Sequence, residues 1–175
     1  KVLEFENVGS FDNPVRIKNE LPPEIQIPII SKICEKNNIF LKEHNADYLS
    51  NQALSWHPIL GIHAANVAPE FAVVETKTIY NILNYYKLNT LLDEIVELSL
   101  KSKKWMKWLK PDSLLNDLDK SILSCHYIYS SKEFKLIFEK ANFFLKRKNI
   151  DINKEIKLNI KKALSRYCYN FRLIN

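Results

Sequence analysis

Lys42 to Glu75 reads KEHNADYLSNQALSWHPILGIHAANVAPEFAVVE, and the way its apolar runs end decides the fold to be expected. Ile39-Phe40-Leu41, just before it, is short, apolar and β-branched or aromatic, the composition of a buried strand. It runs directly into Lys42-Glu43-His44-Asn45-Ala46-Asp47-Tyr48, a polar cluster. After a helix-compatible stretch capped by Ser50 and closed by Pro58, Leu60-Gly61-Ile62-His63-Ala64-Ala65 repeats the pattern and ends in Asn66-Val67-Ala68-Pro69-Glu70-Phe71. Strand, polar tip, helix and strand make a βαβ unit, whose parallel strands deliver the side chains at their carboxyl ends to one mouth.

Working outward, Val2 to Val8 reads as an earlier strand, followed by turn chemistry at Gly9-Ser10-Phe11-Asp12-Asn13-Pro14. Pro22-Pro23-Glu24 suits a helix start, with Ile25, Ile29, Ile30, Ile33 and Cys34 at helical spacing, although Pro28 predicts a start nearer to itself. Lys36-Asn37-Asn38 ends that helix. Downstream, Phe71, Val74, Thr78, Ile79, Ile82, Leu83 and Tyr86 form one helical stripe. From Asn89 on, only helical patterns occur: Leu91 to Ser99, a helix capped by Asp112 or Ser113, a third with a capping box at Ser130 and Glu133, and a fourth through Ile156, Ile160 and Leu164. Three strands cannot close a barrel, and a lone three-stranded parallel sheet would be poorly covered. The expectation is therefore an α/β chain: residues 1–88 as the last strand-helix units of a (β/α)8 TIM barrel, and residues 89–175 as an α-helical C-terminal region.

The 175 residues, 46% of them hydrophobic, suffice for one domain with a real core or for one domain with an appendage. A first residue of Lys1, already entering a strand pattern, suggests that the chain begins inside a larger polypeptide. No apolar run approaches the roughly 20 residues that span a bilayer and no leader pattern is visible, so a cytoplasmic location is expected. Cys34, Cys125 and Cys168 are widely spaced and outside any CxxC pattern, which points to buried or free thiols. A net charge of +6 admits an acidic partner, whether sugar phosphate, protein or nucleic acid.

The residues around both strand ends resemble the non-catalytic subunit of class II D-tagatose-1,6-bisphosphate aldolase, a family once labelled as a tagatose-6-phosphate kinase. That family carries an apolar pair followed by His-x-x-Asp-Tyr, matched by Leu41-Lys42-Glu43-His44-Asn45-Ala46-Asp47-Tyr48, and later Val-Gly-Pro before an apolar helix, matched by Val67-Ala68-Pro69 and the helix from Phe71. A looser echo lies at Glu4-Phe5-Glu6-Asn7-Val8. The likeness covers roughly residues 2–85. Two departures stand out: Asn66 stands where the family has a lysine and Ala68 where it has a glycine, so any phosphate-gripping role carried by that lysine does not transfer to this chain. No Gly-rich phosphate loop supports the kinase label. The resemblance implies an accessory barrel in carbohydrate metabolism. Its partners would be a catalytic aldolase subunit and a sugar phosphate, with zinc or another divalent metal carried by that catalytic partner.

His44 is the strongest functional candidate: it lies just past a strand end between Glu43 and Asp47, where a carboxylate could fix its tautomer while it moves a proton or binds metal. Glu43, His44 and Asp47 form the catalytic set, with His44 the best candidate for a metal. Lys42, Asn45, Tyr48, Asn66 and Glu70 are the candidates for binding substrate, although Glu70 at a helix start is first a charge suited to the helix dipole. His63, inside an apolar strand, reads as a satisfied buried histidine, and His57 and His126 have no evident partner. The run Lys101 to Lys110, with Trp105 and Trp108, interleaves basic and aromatic residues but reads better as a solvated helix face than as a nucleic-acid site. The leading expectation is an accessory, non-catalytic subunit of a class II ketose-bisphosphate aldolase. The alternative is a stand-alone metal-dependent sugar or sugar-phosphate epimerase, isomerase or aldolase.

Overall fold

The structure, a computed structural model, describes residues 2–6, 9–10, 13–14, 23–109 and 114–174, with side chains from Gln26 on. It divides into two compact units, residues 1–70 with 164–175, and residues 71–163. Among the described residues no helix is long and apolar enough to cross a membrane.

In the first unit, β1 (Val2–Glu6), β4 (Phe40–His44) and β5 (Ala64–Ala65) form a parallel sheet in the order β1-β4-β5. Glu6 lies opposite His44, and Glu43 opposite Ala65. Between β1 and β4 come a small antiparallel pair, β2 (Gly9–Ser10) and β3 (Asn13–Pro14), and the helix α1 (Pro23–Lys36). The short α2 (Asn51–Ile59) links β4 to β5, and Ser50 caps it by accepting the Ala53 N–H at 3.1 Å. Period-two alternation sends Leu41 and Glu43 inward and leaves Phe40, Lys42 and His44 on the other face. Leu41, Cys34 and Ile62 make a small apolar core beneath the sheet.

The second unit is all helix: most of α3 (Pro69–Tyr85), then α4 (Asn89–Lys101), α5 (Asp117–Ser124), α6 (Lys132–Lys146) and the first part of α7 (Ile152–Asn170), with 3-10 turns at Lys104–Trp108 and Cys125–Ile128. Most of the stripes seen in the sequence pack inward, with Ile79, Leu83, Leu91, Ile95, Ile137, Leu145, Ile152 and Ile156 in one core, whereas Leu164, at the end of the fourth stripe, is exposed. A buried hydroxyl network threads it: Tyr80 meets Ser121 at 2.5 Å, Ser99 meets Ser124 at 3.0 Å and Thr76 meets Tyr129 at 2.7 Å. Burial there pushes the Cys125 thiol up to about 12, so it is an inert packing group.

Several expectations are corrected. The TIM barrel is not there: the described chain is predominantly helical and its parallel strands form a small open sheet. The reason lies in strand length, since β5 is two residues long and β1 and β5 are both edges, whereas a barrel pairs every strand on both sides. Gly61 to His63 stay outside the sheet because Gly61 takes φ +73°, a left-handed turn that breaks the run. α1 begins at Pro23 rather than near Pro28, which sits early enough to forfeit a single backbone bond. The box expected at Ser130 is shifted by one, Ser131 accepting the Phe134 N–H at 3.1 Å. α5 is capped by Asn116, which accepts from Asp119. The proposed caps Asp112 and Ser113, together with Asn7, Val8, Phe11, Asp12, Pro22 and Lys110, lie outside the described residues.

Candidate functional site

The carboxyl ends of β4 and β5 meet, as parallel neighbours must, and His44 and Asn66 meet with them: the Asn66 amide Nδ2 donates to His44 Nδ1 at 3.3 Å. An amide N–H2 can only donate, so His44 Nδ1 is the acceptor in this contact. The backbone closes the rim around the pair. Asn66 N–H bonds the Glu43 carbonyl at 3.0 Å and Ala46 N–H bonds the Asn66 carbonyl at 2.9 Å.

The loop between them is held in an unusual conformation. Asn45 and Tyr48 take φ of 63° and 62°. Asparagine tolerates that region, whereas for an aromatic residue the left-handed conformation costs about 1–2 kcal/mol. The Tyr48 conformation persists because its N–H is gripped by the Glu70 carboxylate at 2.6 Å. Asp47 performs the complementary task, accepting the Ala68 and Glu70 N–H groups at 3.1 and 2.8 Å where α3 starts at Pro69. Burial is the largest influence on Asp47 and raises its pKa above the usual carboxylate range, although both amide bonds oppose the shift.

Glu70 is the hub. Besides Tyr48, it receives the Arg166 guanidinium at 2.7 Å and the Tyr167 hydroxyl, which also approaches the Ala46 carbonyl at 3.2 Å. Arg166 reaches the Leu49 carbonyl at 2.9 Å and the Asn51 side chain at 3.1 Å. Burial first, and the Glu70 carboxylate second, raise the Tyr167 pKa. The sequence offered no signal for either residue, because the contacts of Arg166 and Tyr167 with the rim span 96 to 121 positions.

Glu43 does not stand beside His44. It points to the buried face, 2% exposed, and bonds His57 Nε2, while His57 Nδ1 meets the Ala53 carbonyl at 3.0 Å. With an acceptor at each ring nitrogen, His57 favours its doubly protonated form. Burial is the largest single influence and pushes its pKa down, but the Glu43 bond and charge and the backbone acceptors together raise it. His57, which has no sequence neighbour to pair with, is thus a structural partner. His63, read as buried, is exposed: it lies outside β5, accepts the Leu41 N–H at 3.3 Å and rests edge-on to Phe40 at 5.0 Å. Lys42, on the His44 face of β4, and Asn45 are each engaged in contacts of their own.

A metal requires several convergent ligands. Among the described residues no group of three or more His, Cys, Asp or Glu side chains could hold one, so the rim does not fit a zinc centre. A separate cleft of about 480 Å³, lined by Ser55, Tyr169, Asn170, Arg172 and Ile174, includes none of the rim residues.

What fold and site define is a small parallel sheet with helices, carrying a polar, conformationally strained rim at its strand ends. No family model, curated protein or solved structure matches this chain.

Proposed function

We propose that the chain is an accessory, non-catalytic subunit of a class II ketose-bisphosphate aldolase, of the tagatose-bisphosphate type it resembles. In this role the rim binds and positions rather than breaking a bond. The observation that carries this is how the rim carboxylates are used. A general acid or base needs a lone pair or proton directed at substrate. Glu43 is committed to His57 in the interior, Asp47 to two backbone amides, and Glu70 to Tyr48, Arg166 and Tyr167. These are the bonds of a preorganised platform. His44 and Asn66, with Lys42 on the same face of β4, suit contacts to sugar hydroxyls and phosphate.

The test is turnover of ketose bisphosphates by the purified full-length protein with added divalent metal, alone and with a catalytic aldolase subunit. No turnover alone, with a more active or longer-lived enzyme on mixing, is the expected result. Turnover by the chain alone that is lost in His44→Ala would overturn the proposal in favour of a stand-alone enzyme.

A further inference from the structure

The positive charge of the chain is not shared between its units. Residues 71–163 hold 18 Lys and Arg against 11 Asp and Glu, a net +7, and the remaining residues hold 8 against 9, so the second unit carries the whole excess. On that unit a cleft of about 250 Å³ opens at the C-terminal ends of α3 and α6, lined by Tyr86, Leu88, Phe144, Leu145, Arg147 and Lys148. Sites for small organic ligands run to about 300–1,000 Å³, so this cleft is sized for one bulky side chain. Its surroundings are aromatic: Tyr85 is 76% exposed, Phe143 57% and Phe144 46%. The Arg147 guanidinium lies 4.5 Å from the centre of the Phe143 ring. Lys146, Arg147 and Lys148 are all exposed. Leaving large apolar side chains in water is unfavourable, and Tyr and Arg are the residue types on which binding energy concentrates.

We propose that this cleft is the docking pocket for an acidic segment of a partner protein. One apolar side chain of that segment seats between Tyr86 and Phe144 and its carboxylates face Arg147 and Lys148. The inference rests on the accessory role above, which makes the catalytic aldolase subunit the bearer of the segment. A nucleic acid is disfavoured on two grounds. Single strands need a basic groove that tracks the backbone past successive free aromatic faces. Here the cleft is lined by two cations, Arg147 and Lys148, beside Tyr86 and Phe144 rather than by a line of them, and in the tryptophan-containing run the chain's own lysines lie over the rings, Lys107 5.5 Å from the centre of Trp108 and Lys120 5.2 Å from that of Trp105.

Binding of the catalytic subunit to the immobilised full-length chain is compared for wild type, Arg147→Glu and Phe144→Ala, with far-UV circular dichroism to verify folding. The exposed Arg147 is the informative site, because its reversal leaves the core intact. A loss of about tenfold or more in both variants is expected. Equal affinity in all three overturns the pocket and leaves the accessory role standing. Where wild type binds no catalytic subunit, the accessory role fails, and a synthetic peptide with one tryptophan between acidic residues decides the pocket. Retention of the peptide by wild type, lost in Arg147→Glu and lost when its tryptophan becomes serine, upholds the pocket. No retention overturns it. Binding of a thymidine 12-mer at low salt that vanishes in Arg147→Glu overturns it in favour of nucleic acid.

Discussion

Among the described residues, the sheet-bearing unit and the helical unit differ in the balance between polar bonds and apolar packing. In the first, the described apolar cluster contains three buried residues, Cys34, Leu41 and Ile62, with Ile27, Ile30, Ile39 and Leu60 packed against it, and it is accompanied by directional polar bonds centred on Glu43, Asp47 and Glu70. In the second, thirteen buried residues form a continuous core, within which the hydroxyl network is a minor component. Directional bonds hold side chains at fixed angles, which a binding rim needs. Apolar packing is indifferent to direction but contributes more stability per residue, which suits a scaffold. The contrast predicts that single polar deletions damage the first unit as severely as core deletions damage the second.

The largest effect is expected for Glu43→Ala. It leaves His57 buried without its partner and should cost about 3–5 kcal/mol in urea unfolding, and a loss near zero would show that the pair is solvated. Ile95→Ala, in the fully buried centre of the helical unit, should cost about 3 kcal/mol through the cavity it leaves. A much smaller value would weaken the claim that packing dominates there. Gly61→Ala comes next, at about 1–3 kcal/mol, because a Cβ on a left-handed backbone is strained. That Cβ would also meet Ser31 Oγ at 2.8 Å, breaking the bond from Ser31 to the Leu60 carbonyl.

Proton linkage sharpens the same contrast with smaller effects of opposite sign. His57 has a folded pKa raised above its ordinary 6.5, so its stabilising contribution is complete below that value and is lost as pH rises through the folded value. His126 in the helical unit is lowered from 6.5 by burial and then by Lys107, so its contribution is present above 6.5 and lost as pH falls through the folded value. Amide hydrogen exchange, corrected for intrinsic rates, should show protection near Glu43 falling with rising pH and protection near Tyr127 falling with acid. Parallel changes in both places would defeat the assignment. The smallest expected effect is Tyr48→Gly, which relieves the left-handed backbone and should change stability by no more than about 1 kcal/mol while weakening the sugar-phosphate binding proposed above. Unchanged binding would remove Tyr48 from the site.

Much of this was legible in the residues. His44 and Asn66 were expected at one rim because two apolar runs of strand composition each end in polar residues, and they meet there. The stripe through Ile79 and Leu83 showed α3, and the second-unit helices followed from the same period. The error about the barrel had a physical source: a short apolar run is compatible with a full strand, yet the run from Leu60 to Ala65 is divided by a turn at Gly61, so only its last two residues pair. Glu43 was misplaced for a related reason. Its position in the polar cluster suggested the rim, but alternation along β4 turns it to the face opposite His44.

By itself the amino-acid sequence determined the local periods: where helices run and which strand ends carry polar residues. These are properties of neighbours a few residues apart, governed by backbone geometry and solvation. Only the tertiary structure decided that Arg166 and Tyr167 complete the rim, that His57 neutralises Glu43, and that the sheet stays open. Those outcomes depend on chain closure between distant segments, whose entropy and packing leave no periodic trace in the order of the residues.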